Sequence, residues 1–344
     1  MRAVSNVRYS LAAVCLLGTA VACNPSNDEI QLTGQTQGTT YSVRAYCPTR
    51  QPDLHAAIDA ELARVDAEMS TYNPDSTLSR FNAAAPGDWF PVPADMARVV
   101  VAAQQLADMS KGAFDVTVGP LVNLWGFGPK GEITAVPDAA AIAAARAQVG
   151  YTYLHVRLQP PGLRKERSLY VDLGAIAQGY TVDALASLLE SRGCVSFMIE
   201  VGGEVRVGHA KPSGQAWRVG IEMPDPASLG KIQRVLQLTD IAVSTSGDYR
   251  DYFELGGRRY SHTIDPRSAA PVTHDLASVA VIAASTMWAD GYATLLDVLG
   301  PKAGLAFARD HHLAAQFTER TPGGYVESTT PEFDRIVNEA AKSP

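Results

Sequence analysis

The chain has 344 residues, 46% of them hydrophobic and 19% charged, and 36 Asp and Glu against 29 Lys and Arg give a formal net charge of −7. This composition argues against disorder and is long enough to bury the core of one large domain or two interleaved lobes. The acidic balance, with no Lys/Arg run, argues against nucleic acid as a partner; a small phosphorylated ligand stays open, because a bound metal ion can supply the positive charge.

At the amino end, Arg2 and Arg8 precede the apolar run Leu11 to Ala22, which is too short to span a bilayer and stops at Ala20-Val21-Ala22-Cys23. Residues 1–22 read as an export signal. Small residues directly before a cysteine resemble a bacterial lipobox, so Cys23 is expected to carry a lipid that holds the chain on the periplasmic side of a bacterial membrane. Ala20 stands where such boxes usually have Leu, and plain cleavage near Ala22 is the alternative. Residues 24 to 30 are polar and turn-rich, so 23–31 reads as an anchored tether and 32–337 as the folded domain. With Cys15 and Cys23 so assigned, Cys47 and Cys194 remain; they lack metal-ligand spacing and read as two buried thiols or one disulfide.

Further along, Leu54, Ile58, Leu62, Val65 and Met69 fall on one face of a helix starting at Asp53, and Met96, Val99, Val100, Ala103 and Leu106 form a second stripe. An Ala-rich helix from Asp138 to Val149 and another from Gln178 to Arg192, with Val182, Leu185 and Leu188 inward, complete a helical layer on a sheet. Strand signals run over Val195 to Val201, Val205 to Gly208, Trp217 to Glu222, Val235 to Leu238, Ala242 to Thr245, Arg259 to Ile264 and Leu276 to Ala283. Strands in succession, interrupted by paired helices and not strictly alternating with them, predict an α+β fold.

Four segments concentrate Gly, Asp and small polar residues where a core has no use for them. In Lys111-Gly112-Ala113-Phe114-Asp115, the glycine allows close backbone approach and Asp115 can accept hydrogen bonds from a base or ribose; a helix stop before a strand is the bland reading. Val171-Asp172-Leu173-Gly174-Ala175 turns into a helix whose N–H groups suit a pyrophosphate and whose turn carbonyl can ligate Mg2+, unless Asp172 merely caps that helix. Val243-Ser244-Thr245-Ser246-Gly247-Asp248-Tyr249-Arg250 can wrap phosphate oxygens, and His262, beside the turn Asp265-Pro266, is placed to act as a base. In Met287-Trp288-Ala289-Asp290-Gly291-Tyr292-Ala293-Thr294, the Asp290 carboxylate and the Thr294 hydroxyl share a helical face and are hard donors of the kind Mg2+ prefers; the alternative is a polar pair satisfied within a core helix.

Together these segments resemble the ApbE family, flavin transferases that use FAD and Mg2+ to attach FMN to Thr or Ser of partner proteins. Also in family order are Gly38-Thr39-Thr40-Tyr41, Met69-Ser70-Thr71-Tyr72, Leu78-Ser79-Arg80-Phe81-Asn82 and Glu200-Val201-Gly202-Gly203-Glu204. The resemblance implies a T-fold-like, two-lobed α+β body with the ligand in the cleft between the lobes. It implies that Tyr72, Ala113, Phe114, Asp115, Asp172 and Ile264 hold FAD, that the Ala175 carbonyl, Asp290 and Thr294 bind Mg2+, and that His262 activates the acceptor hydroxyl. Gln37 and Gln178 depart from the family's usual Met and Lys; Gln178 still has hydrogen bonds to donate at a cofactor-binding position, so altered affinity is expected there and not lost function.

The implied reaction moves FMN from FAD to a hydroxyl and releases AMP, with the flavin as cargo and no redox step. The acceptor is expected in a membrane redox complex. Two other readings use the same residues: an FAD pyrophosphatase in which water replaces the acceptor, and a flavin-binding lipoprotein without catalysis.

Overall fold

The structure, a computed structural model, describes residues 28–340 except Lys130, Glu132, Leu229 and 249–251. The expected export signal with Cys15, the anchor Cys23, the tether up to residue 27, and Tyr249 and Arg250 lie outside the described residues.

Tyr41, Val43 and Ala45 are all buried, the period of two that a strand with one face on a core produces. Their strand belongs to an antiparallel sheet of eight, in the order β1 (Ile30–Thr36), β2 (Thr39–Tyr46), β6 (Ser196–Val201), β7 (Glu204–Val207), β10 (Ile241–Gly247), β15 (Leu276–Ala283), β16 (Ala314–Thr321) and β17 (Gly324–Thr329). One face carries α1 (Leu54–Met69), α6 (Ala177–Ser191) and α7 (Thr286–Asp310). The other carries the hairpin of β8 (Trp217–Glu222) and β9 (Ile232–Leu238) together with α8 (Pro331–Ala340), and Trp217, Leu236 and Phe333 pack there on Val207, Val243 and Ile282. A disulfide between Cys47 and Cys194 ties the end of β2 to the entry of β6.

A smaller lobe surrounds α3 (Ala94–Ser110), whose five expected stripe residues are all buried against α2 (Thr77–Ala83) and the sheet of β3 (Phe90–Pro91), β5 (Pro161–Lys165) and β4 (Leu154–Leu158). Beside it, α4 (Gly119–Leu124) and α5 (Ala139–Arg146) pack on the hairpin of β11 (Tyr252–Leu255) and β12 (Arg258–Ser261) and on the short pair β13 (Ile264–Asp265) and β14 (Ala270–Pro271).

The two lobes share α7. At 100° per residue its surface divides into stripes. Ala293 and Leu296 pack with β15 and β16, Leu295 and Val298 pack with α3, and Asp290, Thr294 and Asp297 occupy the arc between them. Gly300, at φ +74, interrupts the helix before Pro301; a Cβ there would fall on the His274 ring.

The α+β class and the α1 and α3 stripes agree with the sequence reading. Val182, Leu185 and Leu188 face the core as expected, with Leu188 half-buried and Leu189 beside it fully buried. Two expectations need correction. The Ala-rich helix does not join the layer on the main sheet: only Ala145 is buried, and the helix packs on α4 in the smaller lobe, because a face of methyl groups offers too little area to compete for the large sheet. The strand expected from Arg259 to Ile264 is two strands, and His262 sits in the break between them. Among the described residues no helix is long and apolar enough to cross a membrane.

Candidate active site

Hydrogen bonds join the four Gly- and Asp-rich segments. The N–H of Asp172 donates to the Val116 carbonyl at 2.7 Å, which ties the second segment to the first. Asn82, from α2, clamps the same stretch from the other side: its amide nitrogen donates to the Val171 carbonyl and its oxygen accepts from the Val171 N–H, both at 2.8 Å. From there the chain turns through Gly174 and Ala175 into α6. Ile176, at the helix start, offers no side-chain cap, and the Asp172 carboxylate instead accepts the Gly174 N–H at 2.9 Å, which makes it a turn-former. The capping alternative for Asp172 therefore falls.

One turn into α6, the Gly179 N–H donates to Asp290 Oδ2 at 2.9 Å. A Cβ on Gly179 would lie 2.4 Å from the Thr286 carbonyl oxygen and 2.7 Å from Asp290 Cβ, so only glycine lets the two helices approach this closely. Asp183, one turn further along α6, accepts the N–H groups of Thr286 and Met287, both at 2.9 Å, and satisfies the first turn of α7. The second and fourth segments thus meet, with Thr294 one turn along α7 from Asp290.

Asp290 is 6% exposed, and burial pushes its carboxyl up from the ordinary 3.8 to about 7. Glu204 of β7 faces the same space: its Oε1 accepts from Ser244 Oγ at 3.3 Å, its Oε2 is buried without a partner, and burial followed by the charge of Asp290 raises its carboxyl well above the carboxylate range. The charged neighbours acting on these two groups, Asp183 and Glu200, have the same sign as they do. A buried cluster of negative charge with an orphaned oxygen is a poor arrangement by itself and a good one around a hard divalent cation. Among the described residues no three His, Cys, Asp or Glu side chains converge as a metal cage, so the fit requires mixed donors. The Asp290 carboxylate, the Thr294 hydroxyl one turn along α7 and the Ala175 carbonyl in the turn before α6 are oxygen donors of the kind such a site would need.

The third segment reaches the same helix. Asp297 Oδ2 accepts from Thr263 Oγ1 at 2.8 Å and from Ser246 Oγ at 3.1 Å, which fixes the turn containing His262 to α7. His262 is half-buried, edge-on to Phe127 at 6.4 Å between ring centroids. The first and third segments line one cavity of about 200 Å³, shared by Gly112, Asp115, Gly150, Pro266 and Arg267. A larger one, about 480 Å³, lies between Asn123, Leu124, Gln148 and Tyr170.

The remaining expected FAD contacts divide into two groups. Tyr72 is 71% exposed, an aromatic side chain presented to solvent close to Tyr170. Gln178 lies at the start of α6 with its amide close to Gly202, and Gln37 ties its hairpin turn to the same helix by donating to Thr181 Oγ1 at 2.8 Å. Ala113, Phe114 and Ile264 are buried in core clusters. Asp115 is buried too: one oxygen accepts from the N–H and hydroxyl of Thr117, the other from the Tyr151 N–H at 3.0 Å. These bonds hold the Gly150 loop beside the cavity that Asp115 itself lines.

The sequence assigns no role to Glu204, Asp297 and Thr263, while Ser246, expected among the hydroxyls that wrap phosphate, donates to Asp297 here. Asp297 was detectable by spacing, since residues 290, 294 and 297 share one helical face. Glu204 needed the strand pairing that turns it toward α7.

A model of the ApbE family matches residues 37–317. The FAD:protein FMN transferase of Vibrio cholerae is 39% identical over 331 residues, covering 95% of this chain and 98% of the relative, and that of Haemophilus influenzae is 36% identical over 334, covering 95% and 96%. Among solved structures, the apo flavinyl transferase ApbE of Pseudomonas stutzeri superposes with a TM-score of 0.82 at 42% identity, over 90% of this chain and 97% of that one. The flavin transferase ApbE of Vibrio cholerae gives 0.81 at 38% identity, over 90% and 99%.

Proposed function

The chain belongs to the ApbE family and is a transferase, and from that premise we propose that it moves FMN from FAD to a Thr or Ser hydroxyl of a partner protein, with Mg2+ bound and AMP released. The observation that carries this reading is the Gly179–Asp290 contact, which sets a buried, uncompensated carboxylate against the turn that would cradle a pyrophosphate.

Asp290, Thr294 and the Ala175 carbonyl would hold Mg2+, which when bound neutralises phosphate charge and lowers the energy of the departing AMP. The chain's own groups divide the rest of the work. The turn from Asp172 to Ile176 and the start of α6 offer backbone N–H groups to the diphosphate. His262 takes the proton of the acceptor hydroxyl as its oxygen bonds to the FMN phosphorus, a contribution typically worth about 100-fold to 10,000-fold. Tyr72 provides an exposed ring for the flavin or adenine to lie against.

The disulfide between Cys47 and Cys194 supports an oxidising compartment, in keeping with a periplasmic enzyme anchored at Cys23 that acts on a membrane redox complex. Incubating the protein with FAD and Mg2+, with and without an acceptor peptide, tests the reading: AMP release coupled to a flavin-labelled peptide is expected. AMP and free FMN in equal amounts, unchanged by the peptide, would indicate a pyrophosphatase.

A further inference from the structure

Asp297 is the buried carboxylate that the proposed reaction leaves without a task. It is fully buried, its Oδ2 accepts from Ser246 and Thr263, and its Oδ1 has no hydrogen-bond partner. Its backbone carbonyl accepts from His274 Nε2 at 2.7 Å. The titratable groups whose charge acts on it are two imidazoles, His262 from the turn between β12 and β13 and His274 from the approach to β15. Further along the same helical face lies Asp290, opposite Glu204 of β7. A buried carboxylate held by two hydroxyls is costly unless a cation faces it for at least part of the working cycle.

His274 spends its Nε2 on a carbonyl, and its Nδ1 is buried without a partner, so it is a packed group wedged under Gly300. His262 is half-buried and adjoins Thr263, the residue that Asp297 grips. We infer that Asp297 is a positioning residue for His262, holding its turn to α7 through Thr263 and stabilising the imidazolium formed when the acceptor hydroxyl gives up its proton. This rests on the reading of His262 as the base. The proton leaves the hydroxyl as the oxygen–phosphorus bond forms and stays on the imidazole; the diphosphate bond breaks with its electron pair on the AMP phosphate. Because Asp290, Thr294 and Asp297 share one face of α7, the helix that would hold the metal also sets the position of the base.

The test uses the full chain carrying Asp297→Asn, which keeps an acceptor for the hydroxyls and removes the charge. The His262 ring titration is followed by NMR and assigned by its loss in His262→Gln. We expect its midpoint to fall, as removal of a nearby opposite charge requires. The acidic limb of the FMN-transfer pH profile should move the same way, kcat should fall about tenfold, and FAD affinity should stay within about twofold. Thr263→Val, which keeps the charge and cuts the anchor, should lower kcat and leave the titration midpoint in place. An unmoved midpoint in Asp297→Asn would overturn the inference, as would an equal loss of FAD affinity and rate. A shifted midpoint in a protein whose wild type transfers no FMN would retain the pairing of Asp297 with His262 and remove the transferase reading instead.

Discussion

The Gly179 N–H and the Asp290 carboxylate meet at 2.9 Å across 111 residues of sequence, joining the first turn of α6 to the second turn of α7. This contact turns two unremarkable helix starts into one site. It places a carboxylate next to backbone N–H groups, and α7 carries that carboxylate into the seam between the lobes, where a dinucleotide would lie.

The charge of Asp290 contributes to the pH dependence of the metal-free protein. Its folded value of about 7 lies above the ordinary 3.8, so folding favours the protonated form. The stability this group contributes is complete below about 3.8 and is lost as pH rises through about 7. Asp290→Asn should abolish transfer and, in thermal melts without metal, remove that part of the fall in stability between pH 4 and pH 8. Mg2+ competes with the same proton, so it should raise the wild-type Tm more at pH 8 than at pH 6 and leave the Asn variant unmoved.

Gly179→Ala places a methyl group against the Thr286 carbonyl and Asp290. The helices must separate, so urea unfolding should show a loss of about 1–3 kcal/mol. Isothermal titration should show weaker Mg2+ binding. Unchanged metal affinity would mean that the helix contact is packing alone.

His262→Ala should slow FMN transfer about 100-fold to 10,000-fold while FAD still binds, as fluorescence titration would report. The side chain meets Phe127 at the cleft edge and does not belong to the buried core, so the fold should survive.

Much of this was legible in the sequence, and the exceptions have physical causes. The α1 and α3 stripes are strongly periodic, and each residue on them is buried as expected. Asp290 and Thr294 sit four apart on a helix, so their shared face followed from geometry alone. Asp115 is expected to accept from a base or ribose; the bonds that Thr117 and Tyr151 also donate to it depend on how distant loops meet, which no local pattern specifies. Glu204 depends on strand pairing across the main sheet, which no local pattern specifies. The Cys47–Cys194 bond was one of two open readings, and the closeness of two strand ends decided it.

Reduction of that bond should destabilise the protein. It closes a span of 147 residues, so Cys47→Ser with Cys194→Ser should cost about 2–5 kcal/mol in denaturant unfolding. Reductant should lower the wild-type Tm and leave the double variant where it is.

Intact-mass spectrometry of an acceptor protein purified after co-expression tests the central claim most directly. With the wild-type enzyme the acceptor should gain the mass of one FMN less water, on a Thr or Ser, and with Asp290→Ala it should gain nothing. An acceptor that stays unmodified beside wild-type enzyme while FAD is consumed, or one that is modified equally well by Asp290→Ala, would contradict the account.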